Sequence, residues 1–313
     1  MMAERKDQVV SHLSIFFASV MWGLSAPVGK VVMNHGMSGL QLATFRFVGA
    51  AVCFWIASLF MKQERVSLRD LLRLAIAGLL ACGFNQALYT VGLSMTSPVN
   101  ATIIITTMPI FTMVLAFLFL REPITWKKAV GILFGATGAI TIILSSHSDK
   151  DAAAGNVLGD VIVLTAQLCF ASYLTAFKDV IRRYSGVTCM KWMFLSSVIF
   201  IAPFSSLSFR TFRWTGHDPA FWCGVFYVVF GATFVAYFLL MFAQKMLRPT
   251  VVSIYNYVQP IVACIVSIVV GVGIFGPLQG MAVVLVFSGV WLVTQSKSRA
   301  QQLQEEALKR GRE

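Results

Sequence analysis

The sequence predicts an all-α membrane protein: ten transmembrane helices in two inverted five-helix repeats. Three observations carry this. The first is composition: 58% of residues are hydrophobic and 12% charged, with a mean hydropathy of +0.78. A soluble domain carries about 25% charged residues, so the polar shell such a domain needs is missing here. The second is an internal echo. Residues 98–144 recur 151 positions later without a gap, matching Pro98 to Pro249, Pro109 to Pro260 and Gly138 to Gly289. Prolines number only 9 of 313, so their shared register outweighs the apolar matches Ile103/Ile254 and Ile110/Ile261. The third is the alternation of basic residues between one set of loops and the other.

The spans follow from the apolar runs. Residues 1–12 form a polar tail with Arg5 and Lys6, and the first span runs over 13–33. It has no small-residue cleavage pattern and is too long for a signal-peptide core. The next spans fall near 40–61, 71–93, 98–120, 127–144, 157–177, 190–208, 219–243, 249–270 and 277–295. Each approaches the roughly 20 residues that cross about 30 Å of hydrocarbon. In spans four and nine a Pro opens the first turn, where it is harmless. A second, Pro109 or Pro260, breaks the helix near its middle. Residues 145–156 form the polar joint between the repeats 13–144 and 157–295, and 296–313 is a mixed-charge cytoplasmic tail.

Loop charges fix the orientation. One alternating set of loops holds 20 of the 25 Lys and Arg residues, from Arg5 to Arg312, and the opposite set holds only Lys150, Arg210 and Arg213. The basic side faces the cytoplasm, which places both termini there. The joint follows the fifth span, so the second repeat enters the bilayer upside down relative to the first, the arrangement of repeat-built transporters. Ala18 and Lys30 echo in Ala166 and Lys178 at an offset of 148.

The net charge of +12 is accounted for by this topology and needs no nucleic-acid partner. The six cysteines lie apart, without a CxxC or a Cys/His cluster, so neither a disulfide framework nor a metal site is indicated. No cofactor motif, phosphate loop or Ser-His-Asp set occurs. The absence of clustered carboxylates or histidines at a membrane face speaks against an embedded enzyme acting on a lipid-linked substrate. Short loops speak against a non-transporting partner protein.

Arg46 stands apart. It lies six or seven residues into span two, about 10 Å deep at 1.5 Å per residue, where a charge costs a few kcal/mol and faces a cavity or a partner. It either holds a carboxylate or phosphate on a substrate, or it snorkels outward or bonds helix-end carbonyls. Midspan polar and aromatic residues form the other candidates: Trp22, Asn85, Gln86, Tyr89, Tyr173, Tyr237, Tyr255, Asn256, Tyr257 and Gln259. Buried amides need partners, and in lipid these are other helices, cavity water or a ligand. Span nine is densest in them, with YNYVQP at 255–260 before its kinking proline. Gly131, Gly135 and Gly138 give span five a small-residue face for close packing within the bundle.

With these residues in view, the chain resembles the EamA family of the drug/metabolite transporter superfamily. The likeness rests on MWGLSAP (21–27), ATFRFVGAA (43–51), Pro109 with FLREPIT (119–125), the glycine-rich span five, Pro249, Gln259-Pro260 and SGV (288–290). Where the first half has Arg121-Glu122-Pro123, the second has Val272-Gly273-Ile274, so Glu122 is read as a structural or gating residue of the cytoplasmic side. The resemblance implies export or exchange of a small metabolite, such as an amino acid, by a monomer or homodimer in the inner or plasma membrane. It also implies a central cavity between the halves, whose nearest matches are Trp22, Asn85, Tyr89, Tyr173, Tyr237 and Asn256. Arg46 joins them if span two turns that face inward. Pro109 and Pro260 would be the hinges.

Overall fold

The computed structural model describes residues 2–96, 101, 104–145, 157–269 and 277–297. Pro98, most of the 145–156 joint, the Val272-Gly273-Ile274 loop and nearly all of the 296–313 tail lie outside them. Every regular element among the described residues is helical. Five helical segments are long and apolar enough to cross a membrane: Asp7–Asn34, Gly39–Leu59, Leu68–Met95, Val157–Ala176 and Pro219–Met246. A sixth is obtained if the bent pair Gly186–Ile201 and Pro203–Arg210 counts as one span. Met108–Leu120 and Gly280–Thr294 are apolar but shorter. The protein is therefore a helical, multi-pass membrane protein.

The first helix, α1, is longer than its apolar run. It extends from Met2 to Asn34 with Pro27 inside it, so the polar tail expected at 1–12 continues the same helix. Ser38 opens α2 (Gly39–Leu59) with a capping box: its hydroxyl accepts from Gln41 N, while Gln41 Oε1 accepts from Ser38 N at 2.7 Å. That satisfies two otherwise orphaned donors at once. Ser67 caps α3 (Leu68–Gly78) and Asp218 caps α10 (Pro219–Phe226), again 151 positions apart.

Those two helices share a feature that composition does not announce. α3 passes through a π-helical stretch, Leu79–Phe84, into α4 (Asn85–Met95). α10 passes through another, Tyr227–Val235, into α11 (Ala236–Met246). The two stretches end at Phe84 and Val235, in the 151-residue register of the prolines. Wider π turns recur at functional sites because they loosen the backbone ladder and re-aim side chains.

The segments expected as spans four and nine are interrupted, as the prolines require, but not at the prolines themselves. The break comes at Thr106–Thr107, just before α5 (Met108–Leu120), with Pro109 in the first turn of the new helix. In the second half α12 (Pro249–Ile254) ends in a 3-10 turn at Tyr255–Tyr257, and α13 (Val258–Val269) starts with Pro260 as its third residue. Each proline thus sits where its missing N–H has no intrahelical bond to lose.

The remaining elements are α6 (Trp126–Ser145), α7 (Val157–Ala176), the short α8 (Lys178–Arg183), α9 (Gly186–Ser206) and α14 (Pro277–Thr294). α6 and α14, corresponding helices of the two halves, pack along each other through glycines. A Cβ on Gly131 would lie 2.8 Å from the Gly289 carbonyl oxygen, and one on Gly138 would lie 2.6 Å from that of Ala282. Gly135 leaves room for the Tyr257 ring. Elsewhere the halves interleave: α1 packs on α11 and α13, α2 on α9, and α4 on α7. The principal core, with Phe47, Phe54, Tyr173, Phe194 and Tyr237, lies between them.

Candidate functional site: a polar cavity between the halves

A cavity of about 70 Å³ lies within this interleaved region. α1 contributes Trp22 and Ser25, α2 contributes Arg46, and α4 contributes Asn85, Gln86 and Tyr89. From the second half come Gln167 and Phe170 on α7, Tyr237 on α11, Asn256 from the 3-10 turn after α12, and Gln259 on α13. Ile105, just before the first-half break, completes the wall. The π-helical stretches explain part of this convergence: Asn85 and Gln86 are the first two residues after one, and Tyr237 is the second residue after the other.

The aromatic residues are fixed by hydrogen bonds across the halves. The Trp22 indole donates to the Ala232 carbonyl at 3.0 Å, and the Tyr237 hydroxyl donates to the Ala81 carbonyl at 2.9 Å. Trp22 stands edge-on to Tyr237 and Phe170, with ring centroids 5.7 and 6.1 Å away. Amides are partly committed. Asn85 Nδ2 donates to the Ala166 carbonyl at 2.8 Å, Gln259 Nε2 donates to Asn256 Oδ1 at 3.1 Å, and Asn256 Nδ2 contacts Met108 Sδ. Gln86 is buried, with its amide against the Tyr237 side chain.

Arg46 is the only ionisable residue of fixed charge among the described residues of this wall. It is 6% exposed, and its Nε donates to Thr233 Oγ1 at 2.9 Å. Thr233 lies in the second π-helical stretch and also donates to the Val228 carbonyl at 2.8 Å. The Arg46 side chain thus lies on the cavity wall, tied to the opposite half through Thr233.

Of Arg46 and the ten midspan candidates named from the sequence, eight line this cavity: Trp22, Arg46, Asn85, Gln86, Tyr89, Tyr237, Asn256 and Gln259. Tyr173 is not among them. It is fully buried in the core with its hydroxyl donating to Gln244 Oε1 at 2.8 Å. Tyr255 also points elsewhere, sharing a 2.8 Å hydrogen bond with His12 Nδ1, and His12 borders a separate space of about 550 Å³ beside Arg248. Ser25, Gln167, Phe170 and Ile105 also line the cavity. Gln167 carried a usable signal, as an amide midway along an apolar run; Phe170 and Ile105 carried none.

The family model of the EamA-like transporter family matches residues 10–144 and again 157–295. The chain belongs to that family. Relatives of this EamA-like chain include an uncharacterized transporter, YyaM, of Bacillus subtilis (strain 168), 24% identical over 290 residues that cover 90% of this chain and 93% of that one. A probable terminal-alkyne amino-acid exporter of Streptantibioticus cattleyicolor is 27% identical over 59% of this chain and 60% of its own. A WAT1-related protein of Arabidopsis thaliana is 27% identical over 86% and 74%. The fold matches a solved crystal structure with a TM-score of 0.73 over 92% of this chain and 97% of that chain, at 16% identity. Both the EamA-like family and the relatives named for an activity are transporters rather than enzymes.

Proposed function

We propose that this EamA-like protein moves a small amphipathic metabolite across the inner or plasma membrane by alternating access, exporting it or exchanging it. The observation that carries the reading is the cavity: Arg46, a buried cation, lies among amide and aromatic side chains where the two halves of a membrane bundle meet. A charge in that position has a cost of a few kcal/mol and is retained where a pathway needs it. In this reading the chain makes ten spans, as two five-span repeats of opposite orientation with both termini cytoplasmic. The halves rock about the cavity, with the breaks before Pro109 and Pro260 as the flexible points.

The cytoplasmic end has the parts of a closure. Arg73 of α3 forms a two-pronged pair with Asp179 of α8, at 2.6 and 2.7 Å, and Asp70 accepts from the Tyr184 hydroxyl at 2.8 Å. Glu122 bridges Lys128 at 2.8 Å and the Thr250 hydroxyl at 3.3 Å. All three contacts sit on the side where basic loop residues gather, and the Arg73, Asp70 and Thr250 bonds each join one half to the other. The structure is thus read as a state shut towards the cytoplasm. Proteoliposomes loaded with metabolite mixtures test the function: saturable flux that is accelerated by unlabelled substrate on the far side is expected. A chain that is well folded yet moves none of a broad amino-acid and organic-acid panel would contradict it.

A further inference from the structure

We infer that the Arg46 cavity takes a small hydroxylated carboxylate that carries no ammonium group. The inference rests on the transport reading for its physiological meaning, and on the cavity alone for its chemistry. Arg46 is 6% exposed, and among the described residues its one hydrogen bond runs from Nε to Thr233, with no ion pair. Among the described residues, the terminal guanidinium nitrogens are therefore unspent. Those nitrogens form a planar fork suited to two carboxylate oxygens. A buried cation without a counter-charge is costly, and the ligand is the missing half of the pair.

The same wall says what else the ligand carries. No Asp or Glu lines the cavity among the described residues, so a substrate ammonium would meet no opposite charge and would be repelled by Arg46. What the wall offers instead is neutral hydrogen-bonding capacity. Gln86, 2% exposed, sets its amide on the wall beside Tyr237. Asn85 and Gln259 have spent their amide nitrogens on protein acceptors, which leaves their carbonyl oxygens to accept from hydroxyl groups. A single guanidinium balances one carboxylate, whereas a phosphate monoester brings a charge of about −1.5 to −2 and would leave excess negative charge buried. The volume of about 70 Å³ suits a molecule of a few heavy atoms rather than a drug-sized one.

The test uses the full chain in lipid nanodiscs and four probes of matched size: glycerate, glyceramide, serine and 3-amino-1,2-propanediol. Equilibrium binding is measured for each, with glycerol 3-phosphate as a fifth arm, and flux of the same compounds is followed in proteoliposomes. Glycerate is expected to bind at least about tenfold more tightly than every other probe, one charge-assisted contact being worth about that factor. Arg46→Gln removes the preference, and Arg46→Lys keeps its sign with weaker binding. Equal or tighter binding of the amide, the amine, serine or the phosphate overturns the inference. So does the absence of binding by all five, or an Arg46→Gln protein that binds glycerate as the parent does. The ranking by the unaltered protein decides the matter if the Arg46 variants do not fold. Glycerate binding without saturable flux leaves the site intact and contradicts the transport reading; saturable flux of the amine without glycerate binding does the reverse.

Discussion

The Tyr237 hydroxyl donates to the carbonyl of Ala81 at 2.9 Å, and this bond has a counterpart. Ala232, 151 positions after Ala81, accepts from the Trp22 indole at 3.0 Å. Each π-helical stretch thus presents an alanine carbonyl to an aromatic side chain of the opposite half. The two bonds flank the cavity and hold the halves in one relative position.

Tyr237→Phe leaves the ring and removes the donor. A buried carbonyl that loses its partner costs about 1–3 kcal/mol, and the apparent Tm in detergent should fall accordingly. Double substitution of Trp22 and Tyr237 by Phe should cost more than either alone. A Tyr237→Phe protein with unchanged Tm would show that the Ala81 carbonyl finds another donor.

The α6–α14 contact depends on glycine at three closely approached positions. A methyl group on Gly131 would meet the Gly289 carbonyl oxygen at 2.8 Å, where backbone rather than a mobile side chain must move. Overpacking of this kind costs about 1–3 kcal/mol. Gly131→Ala should lower thermal stability, and Gly131→Leu should reduce the yield of monodisperse protein sharply. Retention of parental stability by Gly131→Leu would contradict the packing described.

Glu122 and Lys128 form a buried pair with side chains 8% and 1% exposed. Removal of one partner of a buried pair costs about 3–5 kcal/mol because the other charge is left uncompensated. Glu122→Gln should therefore be severely destabilising, and Glu122→Gln combined with Lys128→Met should recover much of the loss. Thermal unfolding of the two variants in the same detergent distinguishes this from a role confined to transport.

The contacts at the α3–α8 end titrate on the acid side. Hydrogen bonding from the Arg73 guanidinium holds the Asp179 carboxyl below the usual carboxylate range. A carboxyl whose folded-state pKa is depressed adds stability that is fully present above its unfolded value, about 3.9, and is lost as pH falls through the folded one. For Glu64, burial pushes the carboxyl up, but hydrogen bonds from Thr188 and Ser185 outweigh it and act in the same direction as at Asp179. Tm should decline below about pH 4, and Asp179→Asn should lower Tm at neutral pH while flattening that decline. An unaltered acid profile in Asp179→Asn would remove this contact from the account.

How much of this was legible in the residues depended on period and punctuation. The apolar runs and the Pro109/Pro260 register marked the repeat, since proline interrupts backbone bonding wherever the chain is helical. Arg46 and the amides were visible because polar groups in an apolar run need a reason. The π-helical stretches were not, because LLACGF and YVVFGATFV read as ordinary helix; only the backbone reveals the wider turn that delivers Asn85, Gln86 and Tyr237 to one place. Tyr173 and Tyr255 look no different in sequence from Tyr89 and Tyr237. Which way each points is set by helix rotation and by the partners Gln244 and His12, which lie 71 and 243 positions away.

The central claim is that one cavity opens in turn to either side of the membrane. Ser25 lines it, so a Ser25→Cys protein freed of its native cysteines, reconstituted in vesicles, can be challenged with a membrane-impermeant thiol reagent from the outside or from the lumen. Modification from both sides, slowed by transported substrate, is the predicted result. Modification from one side alone under all conditions, or from neither, would contradict alternating access.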